Sequence, residues 1–303
     1  MKQKKWIALT AILVLSLILS ACGSKDTSSS SGQSSNGNNK EELSGKIVIG
    51  GSTALQPLAA AAAAEFMKEH PKVQIEVQGG GSGAGLSEVS NGNFDIGMSD
   101  VFAESKSNID ASQLKDYKVA VVGMTAAVNK EAGIKKLSKE DLIKVFTGKV
   151  KNWSEVGGKN VKITLVNRPD GSGTRATFDE FALDKQTPAE GITQDSSNTV
   201  KKIVNETPGA IGYLALSYFN DDSIVKLAID GTDATEDNVA SGKFPVWAYE
   251  HMYTKGDPKP LVKAFIDYMM ADPVQSNIVP AQGYLSVTKM QVERNAEGKL
   301  TNK

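Results

Sequence analysis

From Lys46 onward the chain alternates short apolar runs with glycine- and hydroxyl-rich breaks, and several of these breaks open a helical period. Lys46-Ile-Val-Ile-Gly50 reads as a buried strand. Gln56–His70 predicts a helix, with Pro57 tolerated in its first turn and the run Ala59–Ala64 favouring close packing. Val73-Gln-Ile-Glu-Val77 alternates as a second strand, Gly83–Ser90 predicts a short helix capped by Ser82, and Phe94–Met98 a third strand ending at Ser99-Asp100. Val119–Val122 begins another strand. An amphipathic helix starts at Leu137-Ser138 and runs to Phe146, closed by Gly148. Val161–Val166 alternates as a strand, and Gly173–Leu183 places Phe178, Phe181 and Ala182 on one helical face. Strands follow at Ala210–Leu214 and within Ser223–Ile229. Phe244–Tyr253 returns towards the first part of the chain, and helices follow over Pro260–Met270 and after Pro273. Strand–loop–helix units of this kind predict an α/β fold with its site at the strand ends.

The N-terminus follows a different pattern. Met1–Lys5 is basic, Trp6–Leu19 is apolar but too short for a membrane span, and Leu19-Ser20-Ala21-Cys22-Gly23 resembles a bacterial lipobox. Residues 1–21 are therefore expected to be a lipoprotein signal peptide and Cys22 the lipidated residue. The alternative is an ordinary signal peptide with an incidental cysteine. Gly23–Ser44 is Ser-, Gly- and Asn-rich with almost no apolar content, so residues 22–44 predict a flexible tether with a span of roughly 25 Å. Cys22 is the only cysteine, which excludes a disulfide framework. The expected location is the extracytoplasmic face of a cell membrane, that of a Gram-positive bacterium.

The body, residues 45–303, is long enough for two lobes: 45–122 plus 252–303 for the first and 123–251 for the second. Formal net charge is −1 with both signs interspersed, which argues against nucleic acid as a partner. No internal repeat is apparent in the sequence.

Three breaks carry the chemistry: Gly50–Leu55, Gly79–Gly85 and Arg168–Arg175. Each follows a strand and opens a helix, where unpaired backbone N–H groups and the helix dipole favour an anion. None has Walker A or G-x-S-x-G spacing, and each taken singly also fits a flexible surface turn. Asp170-Gly-Ser-Gly-Thr174 is the most specific, because glycines flank Ser172 and Arg168 stands ready to offer a charged fork. The alternative is an Arg168 paired with Asp170 or Asp179 at the surface, and Arg175 is expected to face solvent. Asp100 either caps a loop or accepts a proton from the ligand. A carboxylate repels a fully ionised oxyanion, whereas phosphate near neutral pH still carries a proton.

Gly51–Pro57, the glycine loop with Ser82, Asp95-Ile-Gly-Met-Ser-Asp100 and Arg168-Pro-Asp-Gly-Ser-Gly-Thr174 occur in an order that resembles the phosphate-binding component of the high-affinity phosphate ABC importer. The resemblance spans about residues 45–288. It implies a two-lobed, type II periplasmic-binding-protein fold with phosphate in the cleft, held by Thr53, Ala54, Ser82, Asp100, Arg168, Ser172, Gly173 and Thr174. It also implies membrane permease subunits as partners, with no cofactor, no metal and no catalysis. Many relatives have an aromatic residue where this chain has Ala54, which keeps the backbone donor and loses any packing role of the ring. Alternatives are a binder of sulfate, molybdate or tungstate, which offer Asp100 no proton, and a surface phosphatase. His70 and His251 are the only histidines, and neither belongs to a triad or a metal-ligand spacing.

Overall fold

The computed structural model describes residues 42–303; the signal segment, Cys22 and most of the tether lie outside the described residues. In chain order the first elements are β1 (Gly45–Gly51), α1 (Gln56–Glu69), β2 (Val73–Gln78), α2 (Ser82–Asn91), β3 (Ile96–Ser99) and the long β4 (Leu114–Val128). Next come β5 (Lys136–Leu137), α3 (Lys139–Phe146), β6 (Thr164–Asn167), α4 (Gly173–Phe181), β7 (Ile192–Thr193), α5 (Ser197–Glu206) and β8 (Ala210–Ala215). The last group is β9 (Val225–Lys226), β10 (Ala228–Ile229), α6 (Glu236–Ala240), β11 (Trp247–Lys255), α7 (Pro260–Met270), α8 (Val279–Ala281), β12 (Val292–Arg294) and β13 (Leu300–Asn302). No helix of the described residues is long and apolar enough to cross a membrane.

The main sheet runs β2-β1-β3-β11-β4-β8-β6-β7, with β9 also on β4. Its two halves repeat one topology. In the first, β1 pairs in parallel with β2 and β3, and β11 enters antiparallel between β3 and β4. In the second, β6 pairs in parallel with β7 and β8, and β4 enters antiparallel between β8 and β9. The helices follow suit: α1 and α4 leave the first strand of each half, α2 and α5 the second. The repeat lies in topology alone, which is why no sequence periodicity announces it.

β4 extends well beyond the predicted Val119–Val122. Its polar start, Lys115-Asp-Tyr-Lys118, hides it from a hydrophobicity pattern, but those residues pair with β11 from His251 through Thr254. In the first half, Ala59, Ala62 and Ala63 are buried on α1, and Phe66 packs edge-on against Phe265 of α7 with ring centroids 5.4 Å apart. In the second, Phe178 of α4 stacks on Tyr213 of β8 at 4.7 Å and meets Phe146 of α3 at 5.1 Å. Leu183, expected on α4, lies past its end, because the helix closes at Phe181 and the chain turns through Asp184 and Lys185 at positive φ.

Candidate anion-binding site

Four helix N-termini converge at the strand ends: those of α1, α2, α4 and α5. Residues from the four segments touch one another through hydroxyl groups, with Asp100 and Arg168 at the centre. Ser52, where β1 ends, donates to Asp100 Oδ1 and accepts from the N–H groups of Ala54 (3.0 Å) and Leu55 (3.1 Å). It thereby ties the start of α1 to the end of β3. Thr53 Oγ1 lies 3.0 Å from Ser197 Oγ, and the Ser197 N–H donates to it at 3.3 Å. The backbone here is held from below, as Tyr218 donates to the Thr53 carbonyl at 2.6 Å and Tyr284 donates to that of Ala54.

Ser82 is the first residue of α2 and does not cap it. Gly81 occupies the cap position at φ +89°, and the Ser82 hydroxyl instead accepts the Asp100 N–H at 3.0 Å. A side chain at Gly81 would press on the Gly171 carbonyl at 3.1 Å. One at Gly173 would collide with Ser82 Oγ and meet Asp100 Cβ at 2.9 Å. These glycines let the α2 and α4 loops touch, and Gly83 N–H donates to Gly171 O across the contact at 2.9 Å.

Asp100 is buried and accepts from Ser52 on one oxygen and from Thr174 Oγ1 on the other, at 2.9 Å. Arg168 is 1% exposed, which excludes the surface pairing considered above. Its Nη1 donates to Ser197 Oγ at 3.2 Å, and its Nη2 donates to Thr53 Oγ1 at 3.2 Å and to the Asp195 carbonyl at 2.8 Å. Its Nε has no partner among the described residues. Burial lowers the guanidinium pKa, while the nearby Asp100 carboxylate holds it up.

Ser172 caps α4, accepting the Arg175 N–H at 3.2 Å. Arg175 does not simply face solvent. It pairs with Asp170 (2.8 Å) and Asp179 (3.2 Å), and its Nη1 donates to the Arg168 carbonyl at 2.8 Å. The surface ion pairs considered for Arg168 thus belong to Arg175, which braces the backbone that carries Arg168.

The structure brings together Thr53, Ala54, Ser82, Asp100, Arg168, Ser172, Gly173 and Thr174. It adds Ser52, Ser197, Tyr218 and Tyr284, which the sequence pattern does not single out. Ser197 had a signal: Asp195-Ser-Ser-Asn-Thr199 opens a helix after a strand, as Gly81-Ser82 does. A crevice of about 390 Å³, lined by Gln56, Pro57, Asn198, Lys201 and Tyr218 among others, opens between the first turns of α1 and α5. His251 is elsewhere, buried with Nδ1 2.7 Å from Asp116 and its ring stacked on Tyr253.

Such a site can hold a small oxyanion: one buried guanidinium, four helix dipoles and several hydroxyls supply donors, and one carboxylate supplies an acceptor. Comparison with known proteins agrees. The family model described as the PBP superfamily domain matches residues 29–273. The phosphate-binding protein PstS of Bacillus subtilis (strain 168) is 55% identical over 299 residues, covering 99% of each chain. Among solved structures, a phosphate ABC transporter substrate-binding protein of Clostridium perfringens with bound phosphate aligns with TM-score 0.74 and 30% identity, covering 80% of this chain and all of the other. An ABC-type phosphate transport receptor of Vibrio cholerae aligns with TM-score 0.63 and 26% identity, over 79% and 99%. The two-lobed α/β periplasmic-binding-protein fold expected from the motifs is thus the fold found, and the chain belongs to the PBP superfamily and, within it, to the PstS family.

Proposed function

We propose that this chain captures inorganic phosphate outside the cytoplasmic membrane and delivers it to the permease subunits of a phosphate ABC importer. The observation that carries this reading is the pairing of a buried Arg168 with a buried, doubly hydrogen-bonded Asp100 in one ring of helix N-termini. The guanidinium and the dipoles favour negative charge, and the carboxylate demands a proton in return. Singly protonated phosphate meets both demands near neutral pH; sulfate meets only the first. The proposed ligand set is Thr53, Ala54, Ser82, Asp100, Arg168, Ser172, Gly173 and Thr174, with Ser197 added.

Residues 45–122 plus 252–303 form one lobe and 123–251 the other, and β4 and β11 are the strands that pass between them. Cys22 carries the lipid anchor and residues 22–44 the tether. The role is binding without turnover, because the site's hydroxyls face Asp100, Arg168 and one another, with no histidine among them. Calorimetric titration with phosphate, arsenate and sulfate tests the reading: arsenate should compete with phosphate and sulfate should not. Equal binding of sulfate, or turnover of a chromogenic phosphate ester, would overturn it. The anchor has its own test, a mature N-terminus at an acylated Cys22 that is lost in Cys22→Ala.

A further inference from the structure

β11 carries a second carboxyl group beneath the anion site. Glu250 is fully buried, and among the described residues neither of its side-chain oxygens has a hydrogen-bond donor. The strand register explains its position. His251 pairs with Ser99 of β3, so Glu250 stands level with Asp100, and on its other side it pairs with Ala120 of β4. Tyr249, His251 and Tyr253 contact one another along the opposite face of β11. Lys118 lies on that face too, over the rings of Phe102 and Tyr249, and cannot neutralise Glu250.

Among the described residues, three titratable groups face Glu250: Asp100 from the end of β3, Tyr218 from the turn after β8, and Tyr284 from the segment after α8. Both tyrosine hydroxyls are committed to backbone carbonyls, and the Ser52 and Thr174 hydroxyls to Asp100. An ionised carboxylate cannot be sustained in a buried place without donors or a cation. The neutral acid can be, and it brings its own donor. Burial and the adjacent Asp100 push the Glu250 pKa well above the ordinary carboxylate range.

We propose that Glu250 is a positioning residue that keeps its own proton, donates it to the Asp100 carboxylate, and so fixes Asp100 as the acceptor for the proton of the bound phosphate. The count of acceptor sites supports this. An ionised carboxylate has about four lone-pair sites. Ser52 and Thr174 fill one on each oxygen. Glu250 fills a third, and the ligand's hydroxyl takes the last. With its other sites filled, the carboxylate has one place left, which a proton-bearing oxygen fills and sulfate cannot. This deepens the phosphate reading and rests on it for the ligand, while the protonation of Glu250 stands apart from it.

The test uses Glu250→Gln, which keeps a neutral donor, and Glu250→Leu, which removes it, in the full chain. Infrared spectroscopy at neutral pH should show a protonated-carboxyl C=O stretch in the wild type that is missing from Glu250→Gln, with or without phosphate. Titration from about pH 6 to about pH 9 should leave Glu250→Gln within roughly threefold of wild type for phosphate and for the phosphate-to-sulfate ratio. Glu250→Leu should lose about tenfold or more in phosphate affinity and lower the phosphate-to-sulfate ratio. If the infrared band is absent, Glu250 is ionised and the proposal fails. If Glu250→Gln strengthens phosphate and sulfate alike, Glu250 was acting as a repulsive charge and the proposal also fails. Should Glu250→Leu not fold, the band and Glu250→Gln still decide. A wild type that shows the band and ignores phosphate would overturn the functional reading while leaving the protonated acid in place.

Discussion

The hydroxyls of Thr53 and Ser197 lie 3.0 Å apart although 144 residues separate them, and Arg168 donates to both at 3.2 Å. Thr53 follows the first strand of one topological half, and Ser197 follows the second strand of the other. Ser197 therefore occupies the place in its half that Ser82 occupies in the first. The two serines sit at the starts of α5 and α2, so each half brings a serine-led helix N-terminus to the same centre.

Ser197→Ala tests that equivalence. Removing one neutral hydroxyl costs about 1 kcal/mol, close to a five- to tenfold loss of phosphate affinity by calorimetry. The fold should hold, because Ser196 caps α5 and remains. An unchanged affinity would remove Ser197 from the ligand set.

Arg168→Ala should be costlier than any single hydroxyl. A hydrogen bond to a charged group contributes roughly 1.5–3 kcal/mol, and a fork makes two, so a loss of about a hundredfold or more is expected. Arg168→Lys should recover only part of it, since an ammonium has no fork. If Ser82→Ala or Ser172→Ala weakens phosphate binding more, Arg168 does not touch the ligand.

Arg175→Ala should act at one remove. Its donation to the Arg168 carbonyl, with its pairing to Asp170 and Asp179, holds the backbone beneath the guanidinium. Losing that brace should weaken phosphate binding by about tenfold or less, well short of Arg168→Ala. A loss equal to that of Arg168→Ala would mean direct contact with the ligand.

Several of these relationships were legible in the sequence. The Gly-rich breaks, Asp100 and Arg168 stand out because anion chemistry needs particular residue types at strand–helix junctions. The strand edges did not. Val161–Ile163 alternates like a strand, yet only Lys162 in that stretch makes a bridge, to Asn152, and β6 begins at Thr164. Ser52, Tyr218 and Tyr284 act through backbone carbonyls or through Asp100, and such contacts between distant segments have no local pattern. Glu250 looks like any polar residue of an alternating strand until its register against β3 is known.

Ligand binding should draw the lobes together. Asp100 and Ser82 lie before the first proposed crossover, Arg168 and Thr174 after it, and the Gly83–Gly171 hydrogen bond joins the two sets. Small-angle scattering should show a smaller radius of gyration with phosphate. Gly81→Ala strains a φ of +89° and crowds the Gly171 carbonyl, so it should weaken phosphate binding. An unchanged radius in a sample with confirmed binding would count against closure.

Asp100→Asn should change selectivity more than it weakens phosphate binding. In the wild type the carboxylate accepts from Ser52 and Thr174 and keeps acceptor capacity for a proton-bearing oxygen. Sulfate offers no such proton, so its oxygens meet a negative charge in a place where little water screens it. The amide of the same shape removes that charge and supplies a donor, and sulfate should gain about tenfold or more in affinity. Phosphate exchanges one hydrogen bond for another of opposite sense and keeps Arg168 and the helix N-termini, so it should lose less. The measurement is the ratio of phosphate to sulfate Kd for wild type and variant at one pH and ionic strength. If the ratio is unchanged, Asp100 only ties β3 to the starts of α1 and α4, and the discrimination has to come from the size and shape of the closed cleft.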